Sequence, residues 1–174
     1  RPPISTLFPY TTLFRSGRFT NMFFPSLPAV KAVPIILKMK SPVVLMTDLH
    51  CSTSDYSIAR ELFKSIEKMD RLETLSLYWR DRSEEITVTP MNFPKSLRIL
   101  SLSIWSDVSQ FFGNGTFDSI QKLSLEGGRG FGEAVSKCPG VRALSFLATE
   151  SRTVVPADIG LAIDSCPKLE EFHL

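Results

Sequence analysis

A six-residue phrase with apolar residues at its first, fourth and sixth positions recurs five times along the chain: LETLSL from Leu72, LRILSL from Leu97, IQKLSL from Ile120, VRALSF from Val141 and LEEFHL from Leu169. The intervals between these starts fall inside the period of roughly 20 to 29 residues expected for leucine-rich repeats. Self-similarity at such a period marks stacked supersecondary units, each unable to bury its apolar face alone. Within a phrase the last two apolar positions flank one residue, as Leu75 and Leu77 flank Ser76. That alternation belongs to a strand with one buried face. Since each strand returns after a long connection, neighbours are expected to run parallel, about 4.8 Å apart, with the connections gathered on one side. Upstream, Val43, Leu45, Thr47 and Leu49 alternate in the same way and predict a weaker first strand, six in all.

Helical spacing appears in several connections. SIARELFKSIEKM carries Ile58, Leu62, Ile66 and Met69 on one face behind the candidate caps Ser54 and Asp55. A second helix is predicted from Pro156 to Ser165, with proline at its start, Asp158 near its positive end, and Ile159, Ala162 and Ile163 facing inward. A shorter one is predicted over 131–137. Both of these run into Cys-Pro, at Cys138-Pro139 and Cys166-Pro167, where proline ends the helix before the next strand. LPAVKAVPIILKM, from Leu27, reads as a helix begun or interrupted by Pro34, and Arg80 to Phe93 reads as extended chain crossing the outer side. Residues 17–26 receive no assignment and form a junction.

SKCPGVRALSF and DSCPKLEEFHL, a helix ending in Ser-x-Cys-Pro followed by the apolar phrase, resemble the degenerate leucine-rich repeats of F-box proteins and their ribonuclease-inhibitor-like relatives, in their fungal and plant forms. The resemblance spans 27–174. It implies an α/β leucine-rich-repeat solenoid, a curved parallel sheet with helices and extended segments on its convex side, here truncated at both ends. It further implies an intracellular interaction platform, often the substrate-recognition part of a cullin-type ubiquitin ligase receptor. Two features depart from that family. The position three beyond the last phrase residue, usually Asn or Cys, holds Arg80, Trp105, Gly128 and Thr149, and no F-box segment is present.

If the strands align, the residue between each buried pair forms a row on the concave face: Ser76, Ser101, Ser124 and Ser145, then His173. Small hydroxyls let a partner approach the sheet closely, although small polar residues also simply keep an exposed strand soluble. Flanking rows hold Thr74 and Tyr78, Ile99 and Ser103, Lys122 and Glu126, Ala143 and Leu147. Of these, Thr74, Ser76, Tyr78, Ile99, Ser101, Ser103, Lys122, Ser124, Glu126 and Ser145, with Arg80 and Trp105 at the strand exits, are the candidate partner-binding residues, since aromatic and arginine anchors dominate many interfaces. Trp79 joins that cluster by position, and one of the two tryptophans is expected to pack inward. An alternative from a different class is a sensor or regulator, an immune-receptor or GTPase-regulator array that gates a neighbouring domain.

Enzymatic chemistry finds little support. The only histidines are His50 and His173, and His50 on a strand would point away from its neighbour Cys51. EGGRGFGEA has glycines at Gly128 and Gly130, but a dinucleotide loop requires a third where Glu133 stands, so the run reads as a tight turn. Cys138 and Cys166 occupy matching repeat positions where a small buried residue is expected, and burial would make their thiols inert. No catalytic, cofactor or metal residue is assigned.

Composition alters this picture in one place. RPPISTLFPYTTLFRS, residues 1–16, resembles the translation of a short-read sequencing adapter at fifteen of sixteen positions, and Ile4 departs from the adapter's Arg by a single base. A proline-rich apolar tail or a signal peptide is the competing reading. Setting the segment aside removes Arg1 and Arg15 and no acid, leaving 18 basic residues (20−2) against 18 acidic ones, so the formal charge falls from +2 to 0. With it goes any charge argument for nucleic acid or an anionic membrane. Protein is the expected partner, with a cullin-ligase adaptor added only if an F-box lies upstream. The best apolar run, AVPIILKMKSPVVLM, is broken by Pro34, Lys38, Lys40 and Pro42 and falls short of the ~18 residues a bilayer needs. Three cysteines, an odd number without metal-like spacing, point to a reducing compartment. The glycosylation sequon at Asn114-Gly115-Thr116 argues the other way, with the weight of a tripeptide that is common by chance.

Overall fold

The computed structural model describes residues 21–38, 42–50, 56–80, 90–104, 107–127, 129–148 and 156–174; at 22–30, 47–50, 56–59, 80, 148 and 156 it describes the backbone alone. Seven strands form one parallel sheet in strict sequence order: β1 (Asn21–Pro28), β2 (Val44–His50), β3 (Thr74–Arg80), β4 (Ile99–Ile104), β5 (Lys122–Gly127), β6 (Ala143–Ala148) and β7 (Glu171–His173). Between them lie α1 (Ala29–Ile36), α2 (Tyr56–Ile66), a 3-10 turn at Val108–Phe111, α3 (Phe131–Ser136) and α4 (Pro156–Ser165). Among the described residues no helix is long and apolar enough to cross a membrane.

The phrase alternation sets the register. Leu45, Leu75, Leu100, Leu123 and Leu144 pair in one row and Leu77, Leu102, Leu125 and Phe146 in the next, all buried against the connections. A one-residue slip would turn every one of these side chains to the opposite face, so the register is strongly fixed. Helix residues Leu62, Phe63, Ile66, Ala134 and Val135 complete the core from the other side. Where connections lack a helix, aromatic rings fill the space: Phe93, Phe112 and Phe117 meet edge to face with centroids 5.1 to 5.9 Å apart.

Every phrase begins the same way. A turn closes when Leu72, Leu97, Ile120, Val141 and Leu169 each donate an N–H to the carbonyl three residues back, on Met69, Pro94, Phe117, Cys138 and Cys166, at 3.0 to 3.1 Å. Pro139 and Pro167 occupy the second turn position, where a φ already fixed by the ring is favourable and no N–H is needed. Two successive N–H groups then donate to one carbonyl of the preceding unit: Glu73 and Thr74 to Val43, Arg98 and Ile99 to Glu73, Gln121 and Lys122 to Arg98, Arg142 and Ala143 to Gln121, Glu170 and Glu171 to Arg142. This ladder ties each unit to the one before it.

Three expectations are corrected. The sheet has a seventh strand, β1, which takes up part of the unassigned junction and the Leu27–Pro28 start of the predicted helix, so α1 begins at Ala29. Pro25 and Pro28 hid it, and β1 accommodates them as an outer strand of the described sheet, with a bulge between Phe24 and Leu27. In α4, Ala162 is buried and Ile159 half-buried, but Ile163 is 47% exposed rather than inward. Of the extended stretch from Arg80 to Phe93, residues 81–89 lie outside the described residues. Beyond it, Met91 bridges Phe112 in parallel and its N–H donates to the Phe111 carbonyl at 2.8 Å.

Candidate functional site

Alternation that buries the leucine rows leaves three rows on the opposite face of the sheet. In the central one Met46, Ser76, Ser101, Ser124, Ser145 and His173 stand side by side across β2 to β7. One flanking row carries Thr74, Ile99, Lys122, Ala143 and Glu171, the other Tyr78, Ser103, Glu126 and Leu147. The structure therefore brings together ten of the predicted binding residues: Thr74, Ser76, Tyr78, Ile99, Ser101, Ser103, Lys122, Ser124, Glu126 and Ser145. Arg80 closes β3 opposite His50 in the backbone register, and Trp105 lies outside the described residues.

Exposure is uneven across the face. Tyr78 and Ile99 are exposed on adjacent strands and Leu147 is 60% exposed on β6, so apolar contacts stand at both sides of a middle held by Lys122 and Glu126. Ser76 departs from its expected accessibility: it is 7% exposed, sunk among larger neighbours, while Ser101, Ser124 and Ser145 remain half-buried. Met46 extends the serine row onto β2. It was not among the predicted binding residues, although the alternation of Val43, Leu45 and Thr47 already placed it on this face.

Trp79 turns away from this surface. It is 1% exposed in the core, its ring 5.6 Å from that of Phe63, and its Nε1 has no acceptor among the described residues. It follows Leu75 and Leu77 in the inward parity of β3.

Within the glycine run, Gly127 ends β5 and Arg129 bridges Asp107 in parallel. Gly130 adopts φ 72°, in the left-handed region open to glycine, directly before α3, and Asp107 packs so close that a Cβ there would collide with its carboxylate. Asp107 is itself held by the Ser109 N–H at 2.9 Å and hydroxyl at 2.7 Å. Gly128 lies outside the described residues.

Cys138 and Cys166 are both buried, and the Cys166 thiol donates to the Cys138 carbonyl at 3.7 Å. Burial, with the neighbouring Cys166 thiol adding to it, pushes the Cys138 thiol far up, and burial raises Cys166 as well. Both are protonated and poorly nucleophilic at neutral pH. Cys51 lies outside the described residues. Among those described, no group of three or more His, Cys, Asp or Glu side chains is placed to hold a metal ion.

Comparison with known protein families, characterised proteins and solved structures gives no match to this chain.

Proposed function

We propose that the chain is part of a leucine-rich-repeat array of the F-box and ribonuclease-inhibitor-like kind, and that it binds a protein partner on its concave strand face without catalysing a reaction. In this reading it serves inside the cell as the substrate-recognition part of an F-box ubiquitin ligase receptor. The observation that carries the proposal is the three-row face, with ten candidate residues in register on consecutive strands. Exposed Tyr78, Ile99 and Leu147 supply apolar anchors, and Lys122 and Glu126 supply charges of both signs. Such a mixture suits a protein surface better than a polyanion, which would select a single sign of charge.

The test is a triple substitution of Tyr78→Glu, Ser101→Arg and Glu126→Lys. Capture of the partner by the full-length protein is expected to be lost while the far-ultraviolet circular dichroism stays unchanged. Undiminished capture would overturn the assignment of this face.

A further inference from the structure

The chain holds three asparagines, and their settings differ. Asn21 opens β1 and is followed by Met22. Asn92 is tied across the units: its N–H donates to Glu67 Oε1 at 2.9 Å, its side-chain amide donates to the same oxygen at 3.5 Å, and Phe93 follows it. Asn114 alone precedes a glycine. It stands in the connection between the 3-10 turn and β5, away from the strand face.

Asn114, Gly115 and Thr116 are all exposed, at a bend outside any helix or strand. A Cβ built on Gly115 meets nothing within 4 Å among the described residues, whereas one on Gly113 would stand 2.6 Å from Asn92 Oδ1 and 3.1 Å from the Met91 carbonyl. Among the described residues the Gly115 N–H enters no backbone hydrogen bond, although the bend is anchored on both sides. The Gly113 N–H donates to the Met91 carbonyl at 3.0 Å and the Phe117 N–H to the Lys137 carbonyl at 2.7 Å. Asparagine amides are thermolabile, and a main-chain nitrogen that is not held by an acceptor can close a ring on the amide beside it. Glycine favours that closure, because it has no Cβ to crowd the approach.

We propose that Asn114 is a site of spontaneous covalent modification, converted in the folded protein through a cyclic imide to isoaspartate and aspartate. The Gly115 nitrogen gives up its proton and attacks Asn114 Cγ; the new C–N bond forms, the Cγ–Nδ2 bond breaks, and ammonia leaves carrying that proton. Water then opens the imide. Addition at the Asn114 main-chain carbonyl leaves the chain running through Cγ, as isoaspartate, and addition at Cγ leaves aspartate. Either product places a carboxylate where a neutral amide stood and erases the Asn-x-Thr acceptor pattern. Isoaspartate also lengthens the main chain between the anchors at Gly113 and Phe117, and the Phe117 ring packs on Phe93 and Phe112 with centroids 5.1 and 5.9 Å away. The inference is independent of the partner reading of the open strand face.

The test holds the full folded chain in neutral and in mildly alkaline buffer and follows it by peptide mapping with mass spectrometry. Isoaspartate is read out by methyl transfer from labelled S-adenosylmethionine with an isoaspartyl methyltransferase. Isoaspartate and aspartate are expected to accumulate at Asn114 and not at Asn21 or Asn92, with a shift of the protein to a more acidic isoelectric point. The rate is expected to rise with pH, because the attacking nitrogen must lose its proton. Gly115→Ala, whose added carbon has room, is expected to keep the parent's unfolding midpoint and to suppress the conversion several-fold. A folded chain that stays unmodified over the period in which a free peptide of residues 111–118 converts overturns the proposal. So does conversion in Gly115→Ala at the parent rate, or conversion of Asn92 as fast as Asn114.

Discussion

Cys138 shows how one side chain ties stability to pH. Its buried thiol keeps its proton more tightly than a free thiol, whose reference pKa is 9.0. Below that value both the folded and the unfolded chain are protonated, and the contribution of the buried thiol is intact. Above it the unfolded chain releases the proton and the folded one does not, so unfolding becomes easier by about 1.4 kcal/mol per pH unit. Urea midpoints measured from about pH 8.5 to 10.5 should fall more steeply for the parent chain than for Cys138→Ala; equal slopes would show that Cys138 is not the group responsible. The burial of Cys138 and Cys166 was legible, because two matching positions in a repeat share one environment. The inward turn of Trp79 was legible from the parity of Leu75 and Leu77. The depth of Ser76 was not, since it depends on neighbours from other strands, and those become known only with the register.

Elements were legible where their apolar period was clean. β3 to β7 fall on the five phrases, and α2 and α4 on runs of helical spacing. β1 was not, because Pro25 and Pro28 interrupt any alternation and only pairing with β2 makes it a strand. The turns that open each phrase were also hidden, since their first positions hold residues as unlike as Met69, Pro94, Phe117 and Cys138. What these turns share is backbone geometry, which gives their tightest point a measurable cost. A Cβ on Gly140 would collide with the Asp118 carbonyl of the preceding unit and stand 3.2 Å from that of Ile120. Backbone of this kind has little room to yield, so Gly140→Ala is expected to destabilise by about 1–3 kcal/mol in chemical denaturation. Gly115→Ala, with nothing among the described residues within 4 Å of the added carbon, should change stability by less than about 0.5 kcal/mol.

At the scale of the whole molecule, each unit touches mainly its neighbours, so stability is a sum of unit and interface contributions. Leu102 is fully buried in the central strand β4, and Leu102→Ala is expected to cost about 2–5 kcal/mol. Phe172, half-buried on the three-residue strand β7, lies on a strand paired with β6 alone among the described residues, and Phe172→Ala should cost less than about 1.5 kcal/mol. Comparable losses at the two sites in urea unfolding would mean that the sheet behaves as one closed core. The candidate site was legible at this scale too: once five phrases are taken as parallel strands in order, the residues between the buried pairs must share a face. Its continuation onto β1, where Phe23 pairs with Met46, emerged only from the pairing.

The doubled hydrogen bond at every strand start carries a consequence of another kind. Successive phrases are unequally spaced, closest from Ile120 to Val141 and farthest from Val141 to Leu169, yet each is clamped to the preceding carbonyl by the same two donors. Insertions and deletions are therefore absorbed on the far side of the molecule, and the open face keeps a graduation of about 4.8 Å per strand. Within this chain the backs of the units differ in length while the front remains a ruler of constant pitch.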